Sequence, residues 1–339
     1  MGVAAAEVSE KKKYVSTDLT VLIPTLNRPA KLTCLFESIE AQSERVGRII
    51  LVDGAESAQA VILDFAGRIP VEYFRCIPPS QIRQRNHGLA QLQARDRLIA
   101  LLDDDMVLEP EAMREMVRFW NTVEPETAGV CFNIVNGEPE RRTFLRRLVG
   151  FTASRGGLVL RSGISTPVSH VKESIRTQWL PGGATVWRKE ILLGHPHQEV
   201  SSRWAIAEDL IFSYPIGKRL PLYVCATARA RHEHVYDQRP DKQHWYHGRT
   251  QTLWLYHFVS TNRELSKASF FWTLGLRMAG KLLRGVMRRD RKSVEFVRGQ
   301  AGAVWAILQS LITKRTSRDL LQEPVEHPII DRQGRSAAE

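Results

Sequence analysis

Three consecutive carboxylates, Asp103, Asp104 and Asp105, directly follow the apolar run of residues 98–102. Packing does not explain them, because burying unpaired charge is costly. Asp103 and Asp105 are two apart and point the same way if the stretch is extended. Together they can offer oxygens to a hard cation, Mg2+ or Mn2+, which can also hold a diphosphate. The competing account is a solvated acidic turn. Asp53 ends a second apolar run and can accept hydrogen bonds from a nucleobase or ribose, or merely shape an Asp-Gly turn. Arg85, in the segment Ser80-Gln81-Ile82-Arg83-Gln84-Arg85-Asn86-His87-Gly88, places a cation early in a helix. Anionic phosphates are favoured there, although a solvated basic face would have the same composition.

Two later groups complete the set. Glu208-Asp209 opens an apolar segment. A carboxylate at that place can act as a general base toward an attacking hydroxyl, or simply complement a helix dipole. His232-Glu233-His234 puts two imidazoles on one side of a strand. One of them, His232, is a candidate third metal ligand, with a structural role as the alternative.

Such groups need a scaffold to bring them together. Residues 19–23, 48–52, 71–74 and 98–102 read as strands, the first stopped by Pro24. Residues 29–42, 58–65, 81–92 and 111–120 carry helical spacing, the third with Ser80 as N-cap. The strands are continuously apolar rather than alternating. This predicts an α/β fold, a mostly parallel sheet flanked by helices on both faces. Ligands in such folds bind outside the carboxyl ends of the strands. Thr25, Asn27, Asp53 and the three aspartates all sit at such ends and should gather at one edge. Beyond about residue 137 the pattern loosens. Residues 178–187 hold Pro181-Gly182-Gly183 before a strand-like stretch, 222–227 is a further strand candidate, 242–259 is helical and aromatic-rich, and 264–313 reads as two helices.

The order of these motifs resembles glycosyltransferase family 2, of GT-A fold. Pro24-Thr25-Leu26-Asn27-Arg28 is similar to the family's segment after the first strand, and Val52-Asp53 to its Val-Asp. Arg85-Asn86-His87-Gly88 matches the Arg-x-x-Gly helix start. Asp103-Asp104-Asp105 matches the Asp-x-Asp, with Pro110 soon after. Pro181-Gly182-Gly183-Ala184 and then Glu208-Asp209 close a match running from about residue 19 to 235. The resemblance implies an inverting transferase that uses a nucleotide-diphospho-sugar, a UDP-sugar as donor, in polysaccharide biosynthesis. It implies nucleotide contacts from Thr25, Asp53, Arg85 and Asp103. It implies Mg2+ or Mn2+ held by Asp105, Asp103 and His232, and Asp209 as base. Gly183, Trp179 and Glu208 are expected at the acceptor site, with Trp179 and Trp187 offering ring faces to sugars. The sequence departs from the family in two places. Gly54-Ala55-Glu56-Ser57 replaces an acidic, Ser-rich turn, and Tyr214-Pro215 is expected to cut short the helix behind the base.

The chain has 339 residues, 43% hydrophobic and 25% charged, ordinary values for a globular protein with a core. The net charge of +11 suits a polyanionic partner. The four cysteines lie at long intervals with no zinc-type spacing, as expected of a reducing compartment. No uncharged apolar run reaches the roughly 18 residues of a bilayer span. Arg277, Lys281, Arg284 and Arg288 share one helical face, and Met278, Leu282, Leu283 and Val286 mark another. Phe270, Phe271 and Trp272 precede them. This predicts a basic amphipathic helix at an anionic membrane surface, and a peripheral protein of the cytoplasmic face. The expected organisation is a flexible leader (1–18), a catalytic domain (19–260) with a nucleotide half (19–135) and an acceptor half (136–260), basic helices (261–316) and a loose tail (317–339). The acceptor is expected to be a glycan or lipid-linked, and no nucleic acid is expected as partner. A nucleotidyltransferase would use similar aspartates, but no Gly-rich phosphate loop follows the first strand. A non-catalytic basic nucleic-acid or membrane binder is the third reading.

Overall fold

The computed structural model of the chain describes residues 14–137, 139–199, 207–233 and 241–322, with the short segments 329–330 and 336–337. Three β-α units and a fourth strand come first: β1 (Leu19–Thr25), α1 (Pro29–Glu40), β2 (Arg48–Asp53), α2 (Gln59–Asp64), β3 (Val71–Arg75), α3 (Gln81–Leu89) and β4 (Leu98–Leu102). A short β5 (Met106–Leu108), α4 (Ala112–Trp120) and β6 (Gly129–Ile134) follow. The looser region holds α5 (Phe144–Leu148) and β7 (Ile175–Thr177). Then come β8 (Ala184–Arg188), α6 (Lys189–Gly194), α7 (Glu208–Gly217) and β9 (Leu222–His232). Three long helices close the chain: α8 (Asp241–Thr261), α9 (Lys267–Met287) and α10 (Arg291–Ile312).

Among the described residues, nine strands form one sheet in the order β3-β2-β1-β4-β8-β6-β9-β5, with β7 paired to β9. The first four strands are parallel, as their continuous apolar character predicts. Alternate residues explain the pattern. Leu19, Val21 and Ile23 face a core with α1, α2 and α4, whereas Leu22, Ile50 and Val52 face a second core with α3, α6 and α7. Each strand is therefore apolar on both faces. Beyond β4 the sheet is mixed: β8 runs antiparallel to both β4 and β6, and β5 antiparallel to β9. Pro24 does not stop β1. The β1–β4 ladder ends at Leu22 opposite Leu101, so the missing N–H of Pro24 falls where only β2 remains alongside.

The C-terminal helices are not detached from the sheet. Phe258 of α8 belongs to the second core, and Phe270, Leu274, Ala303 and Ile307 form a third core with Trp254 and with Ile82 of α3. The α8–α10 crossing is very close. A Cβ at Gly299 would stand 1.9 Å from the Trp245 carbonyl oxygen, so only glycine fits. Both ends of the described chain are also anchored. Asp18 pairs with Arg97 at 2.9 Å, Tyr14 packs edge-on against Trp120, and Leu320 and Leu321 are buried in the third core. The amphipathic reading of α9 holds in pattern but not in orientation. Leu283, Val286 and Met287 are exposed, while Arg277, Lys281 and Arg284 line a cleft.

Candidate active site

The carboxyl ends of β1, β2 and β4 meet at one edge, and the chain's polar residues meet with them. After β1, Asn27 takes a positive φ of 54°, a conformation asparagine tolerates, and the chain turns to present Arg28. The three aspartates after β4 then take different partners. Asp104 is buried and accepts from Thr25 Oγ1 at 2.8 Å and Arg28 Nη1 at 3.1 Å. Burial pushes its carboxyl up despite these donors. Asp105 accepts from Arg28 at 3.2 Å and meets His232 Nε2 at 3.0 Å. Asp103 turns the other way, accepting from Gln81 and from Arg85 Nη2, both at 2.9 Å.

Strand pairing explains why His232 arrives there. β9 runs to His232, well past the expected end near residue 227, and β5 pairs Met106 directly opposite it. The imidazole thus lies next to the residue after Asp104. Burial alone would lower the His232 pKa, but Asp105 and then Asp103 outweigh it and raise it. His234, the other imidazole of that motif, lies outside the described residues. Among the described residues no three His, Cys, Asp or Glu groups converge as a metal cage. The expected trio of Asp103, Asp105 and His232 is therefore not assembled, because Arg85 and Gln81 hold Asp103 away. Asp105 and His232 remain as a pair of donors at one point. Mg2+ in particular is often held by one or two carboxylates, with substrate phosphates and water supplying the rest. Asp105 is the carboxylate that fits a cation held in that manner, once Arg28 and the His232 proton give way.

Arg85 is the hinge of the site. Its side chain is only 1% exposed and pairs with both Asp103 and Glu208. Burial works against its charge, but Glu208 and Asp103 outweigh that and raise its pKa. Arg85 therefore ties the aspartate turn to the start of α7 and is not presented on the surface. Gly183 makes this arrangement possible. Its carbonyl accepts the Asp103 N–H at 2.9 Å, and a Cβ on it would stand 2.0 Å from Asp103 Oδ2. Gly183→Ala should cost about 1–3 kcal/mol through this overlap. Thermal unfolding checks it, and an unchanged Tm would mean that Asp103 swings away freely.

Asp209 follows Glu208 in the first turn of α7. Its Oδ1 accepts the Leu210 N–H at 2.9 Å. Burial pushes the Asp209 carboxyl up to about 6, while the Leu210 amide and Arg85 pull it down. Asp209 lines a cavity of about 270 Å³ between α7, α8 and α9. The helix behind it is not cut short: it continues through Pro215 to Gly217. Pro215 leaves the Ile211 carbonyl without its usual i+4 N–H partner, yet the helix runs two residues beyond it.

Other expected residues play local roles. Asp53 is fully buried, and its oxygens accept the Ala55 and Ala58 N–H groups at 2.8 and 3.1 Å. It shapes the turn into α2. Trp179 and Trp187 offer no ring face to a sugar. Both are buried in the second core, with their indole N–H groups bonded to the Thr166 carbonyl and the Thr185 hydroxyl. Three contributors escaped the sequence reading: Arg28 as partner of Asp104 and Asp105, Gln81 on Asp103, and Gln84, which bridges the Thr25 and Val52 carbonyls at 2.7 and 2.8 Å. A signal for two of them was present, since Gln81, Gln84 and Arg85 are spaced i, i+3, i+4 and share one helix face.

Residues 20–179 match the model of glycosyl transferase family 2. Among solved structures, the chain is similar to S. aureus TarS residues 1–349. The identity is 14% and the TM-score 0.51, covering 89% of this chain and 88% of that one. TarS 1–349 crystallised in complex with UDP-GlcNAc aligns at 13% identity and a TM-score of 0.45, over 88% of this chain and 92% of that one. No curated protein matches in sequence. Residues 20–179 are thus similar to glycosyl transferase family 2, and the fold is of the GT-A type.

Proposed function

We propose that this glycosyltransferase moves a sugar from a nucleotide-diphospho-sugar to a hydroxyl of a glycan or lipid-linked acceptor in polysaccharide assembly, with inversion at the anomeric carbon. The observation that carries this reading is Asp209: a carboxylate at a cavity, raised toward neutrality, and linked through Glu208 and Arg85 to the aspartate turn. A base is most effective when its pKa lies near the working pH. In the reaction, the acceptor oxygen forms a bond to the anomeric carbon as the bond to the diphosphate breaks. The bonding electrons leave with the diphosphate, and the hydroxyl proton passes to Asp209. Asp105 and His232 are the proposed cation ligands. A bound divalent cation would neutralise charge building on the leaving diphosphate. Thr25 and Arg28 hold the aspartate turn in shape. Residues 19–135 are the proposed nucleotide half and 136–260 the acceptor half.

Uridine is the proposed base and is tried first. A thermal-shift series of UDP-, GDP- and dTDP-sugars, with and without Mn2+, tests the reading. UDP-sugars should stabilise the wild type only with metal, and Asp105→Ala should abolish the shift. No stabilisation by any nucleotide would sink it. The family match favours neither the nucleotidyltransferase nor the non-catalytic binder.

We also place the protein at the cytoplasmic face of an anionic membrane. No helix among the described residues is long and apolar enough to cross one. The support is the exposed apolar strip of α9, Leu283, Val286 and Met287, together with Trp272. Deleting the chain after residue 264 would open the third core, so point changes are the cleaner probe. Leu283→Glu with Val286→Glu should reduce flotation with phosphatidylglycerol vesicles several-fold. Unchanged flotation would count against membrane contact.

A further inference from the structure

The cavity that Asp209 lines does not end at α9. It shares Ile164, Ser165, Gln251, Arg277 and Gln300 with a second, larger cavity of about 720 Å³ between α5, α8, α9 and α10. Four cations line that second cavity: Arg146, Arg277, Lys281 and Arg284. None of the four forms an ion pair among the described residues. The one carboxylate in the wall, Glu140, is already paired with Arg142 at 2.9 Å and accepts from Thr152. Asp290, near Lys281, caps α10 by accepting from the Lys292 N–H and Ser293 Oγ. Lys281 lies over the Phe296 ring at 3.7 Å.

Like charges in a concave space repel, and here they are close enough to act on one another. Arg277 is held below its ordinary pKa by burial and by Arg146, and Lys281 by burial, Arg277 and Arg284, with Asp290 opposing. A solvated basic face would spread its charges over a convex surface. Here Arg146, Arg277 and Arg284 keep exposed side chains and Lys281 is half-buried, but all four converge on one cleft, where the potential is focused, and the cleft opens on the carboxylate proposed as base.

We propose that this cleft binds an anionic group of the phosphate class carried by the acceptor, beyond the hydroxyl that Asp209 deprotonates. The inference rests on the transferase reading for the role of Asp209. Two or three guanidinium and ammonium groups on one phosphate make charge-assisted hydrogen bonds, and guanidinium groups can bind it bidentately. The acceptor would then be selected by its charge as well as by its sugar. The phosphate could belong to a lipid carrier or to a soluble glycan, and the binding chemistry is the same.

The test titrates inorganic phosphate by calorimetry into the full chain saturated with UDP and Mn2+. Wild type is compared with the double variant Arg277→Gln and Arg284→Gln, and with Arg288→Gln, outside the cleft, as control. The double variant should weaken phosphate binding by about tenfold or more, and the control should not. Lys281→Gln is the second probe should the double variant fold poorly. Equal binding by wild type and cleft variants, or none by wild type, overturns the proposal. The UDP-dependent thermal shift of the wild type is read separately. If it is absent, the nucleotide-sugar reading fails, and the same titration without UDP still decides the cleft. Flotation with phosphatidylglycerol and phosphatidylcholine vesicles assigns the source. Loss of phosphatidylglycerol binding together with phosphate binding indicates a lipid phosphate, and loss of phosphate binding alone indicates a soluble acceptor.

Discussion

Asp209→Asn should remove most of the transfer rate and leave the protein more stable than the wild type. The two effects have one cause. Burial raises the Asp209 carboxyl to about 6, so the folded protein holds this proton more tightly than the unfolded chain, whose aspartates titrate near 3.9. As pH rises through the interval from about 4 to 6, the unfolded state loses its proton first, and stability falls. Above about pH 6 the cost is fully present. Asparagine carries no charge to desolvate. After discounting for partial exposure, the variant should gain about 1–2 kcal/mol at pH 7, a rise in Tm of about 2–4 °C. In catalysis the same carboxylate must be ionised to take a proton. The wild-type rate should climb as pH passes about 6, and the variant should lose about 10²–10⁴ in kcat together with that climb. Donor stabilisation by UDP-sugar should persist. A variant with near-normal kcat would exclude Asp209 as the base, whatever its stability.

Arg85→Ala should be among the most destabilising single changes in this domain. Removing one member of a buried ion pair costs about 3–5 kcal/mol, because the remaining charge is left without compensation. Here both Asp103 and Glu208 lose their cation, and Glu208 already sits above the ordinary carboxylate range, burial being the main cause. Urea unfolding reads the loss as a lower midpoint. Adding Glu208→Gln should recover about 1 kcal/mol or more, since one of the stranded charges is then removed. Arg85 also holds down the Asp209 pKa, so a less drastic change, Arg85→Gln, should move the pH-dependent rise in rate upward. A cost below about 1 kcal/mol for Arg85→Ala would mean that the guanidinium is solvated and available to a ligand. That outcome would restore the nucleotide contact the sequence motif suggests.

The first half of the fold was legible in the sequence for a plain reason. Residues 98–102 are apolar at every position, and a strand can bury both faces only in a sheet covered on both sides. Strand ends then fall where the apolar run stops, which is why Thr25, Asp53 and Asp103 to Asp105 could be placed along one edge. Short elements were not legible. β5 is three residues long, carries no periodic signal, and exists because β9 lies beside it. β9 itself alternates polar and apolar residues after Thr227, so its composition did not mark it as a buried strand.

The chemistry divides along the same line. Residue types and their order determined a likeness to a family, a set of carboxylates at strand ends, and a carboxylate pair ahead of a helix. The tertiary structure decided which of these groups meet. Asp103 and Asp105 are neighbours in sequence, yet one faces Arg85 and the other His232, because the turn after β4 opens them in different directions. Trp179 and Trp187 had the right ring chemistry for a sugar, but the pairing of β8 with β4 and β6 and the packing of α6 and α7 enclosed them. Arg277, Lys281 and Arg284 of the cleft were visible as a helical stripe, whereas nothing in the sequence pattern joined Arg146 to them. Only the packing of α5, α8, α9 and α10 turned them toward one another and toward Asp209. Local sequence encodes what a residue can do within its own element, through spacing and burial preference. Contacts between distant elements depend on how whole faces pack, and that information is distributed over the chain.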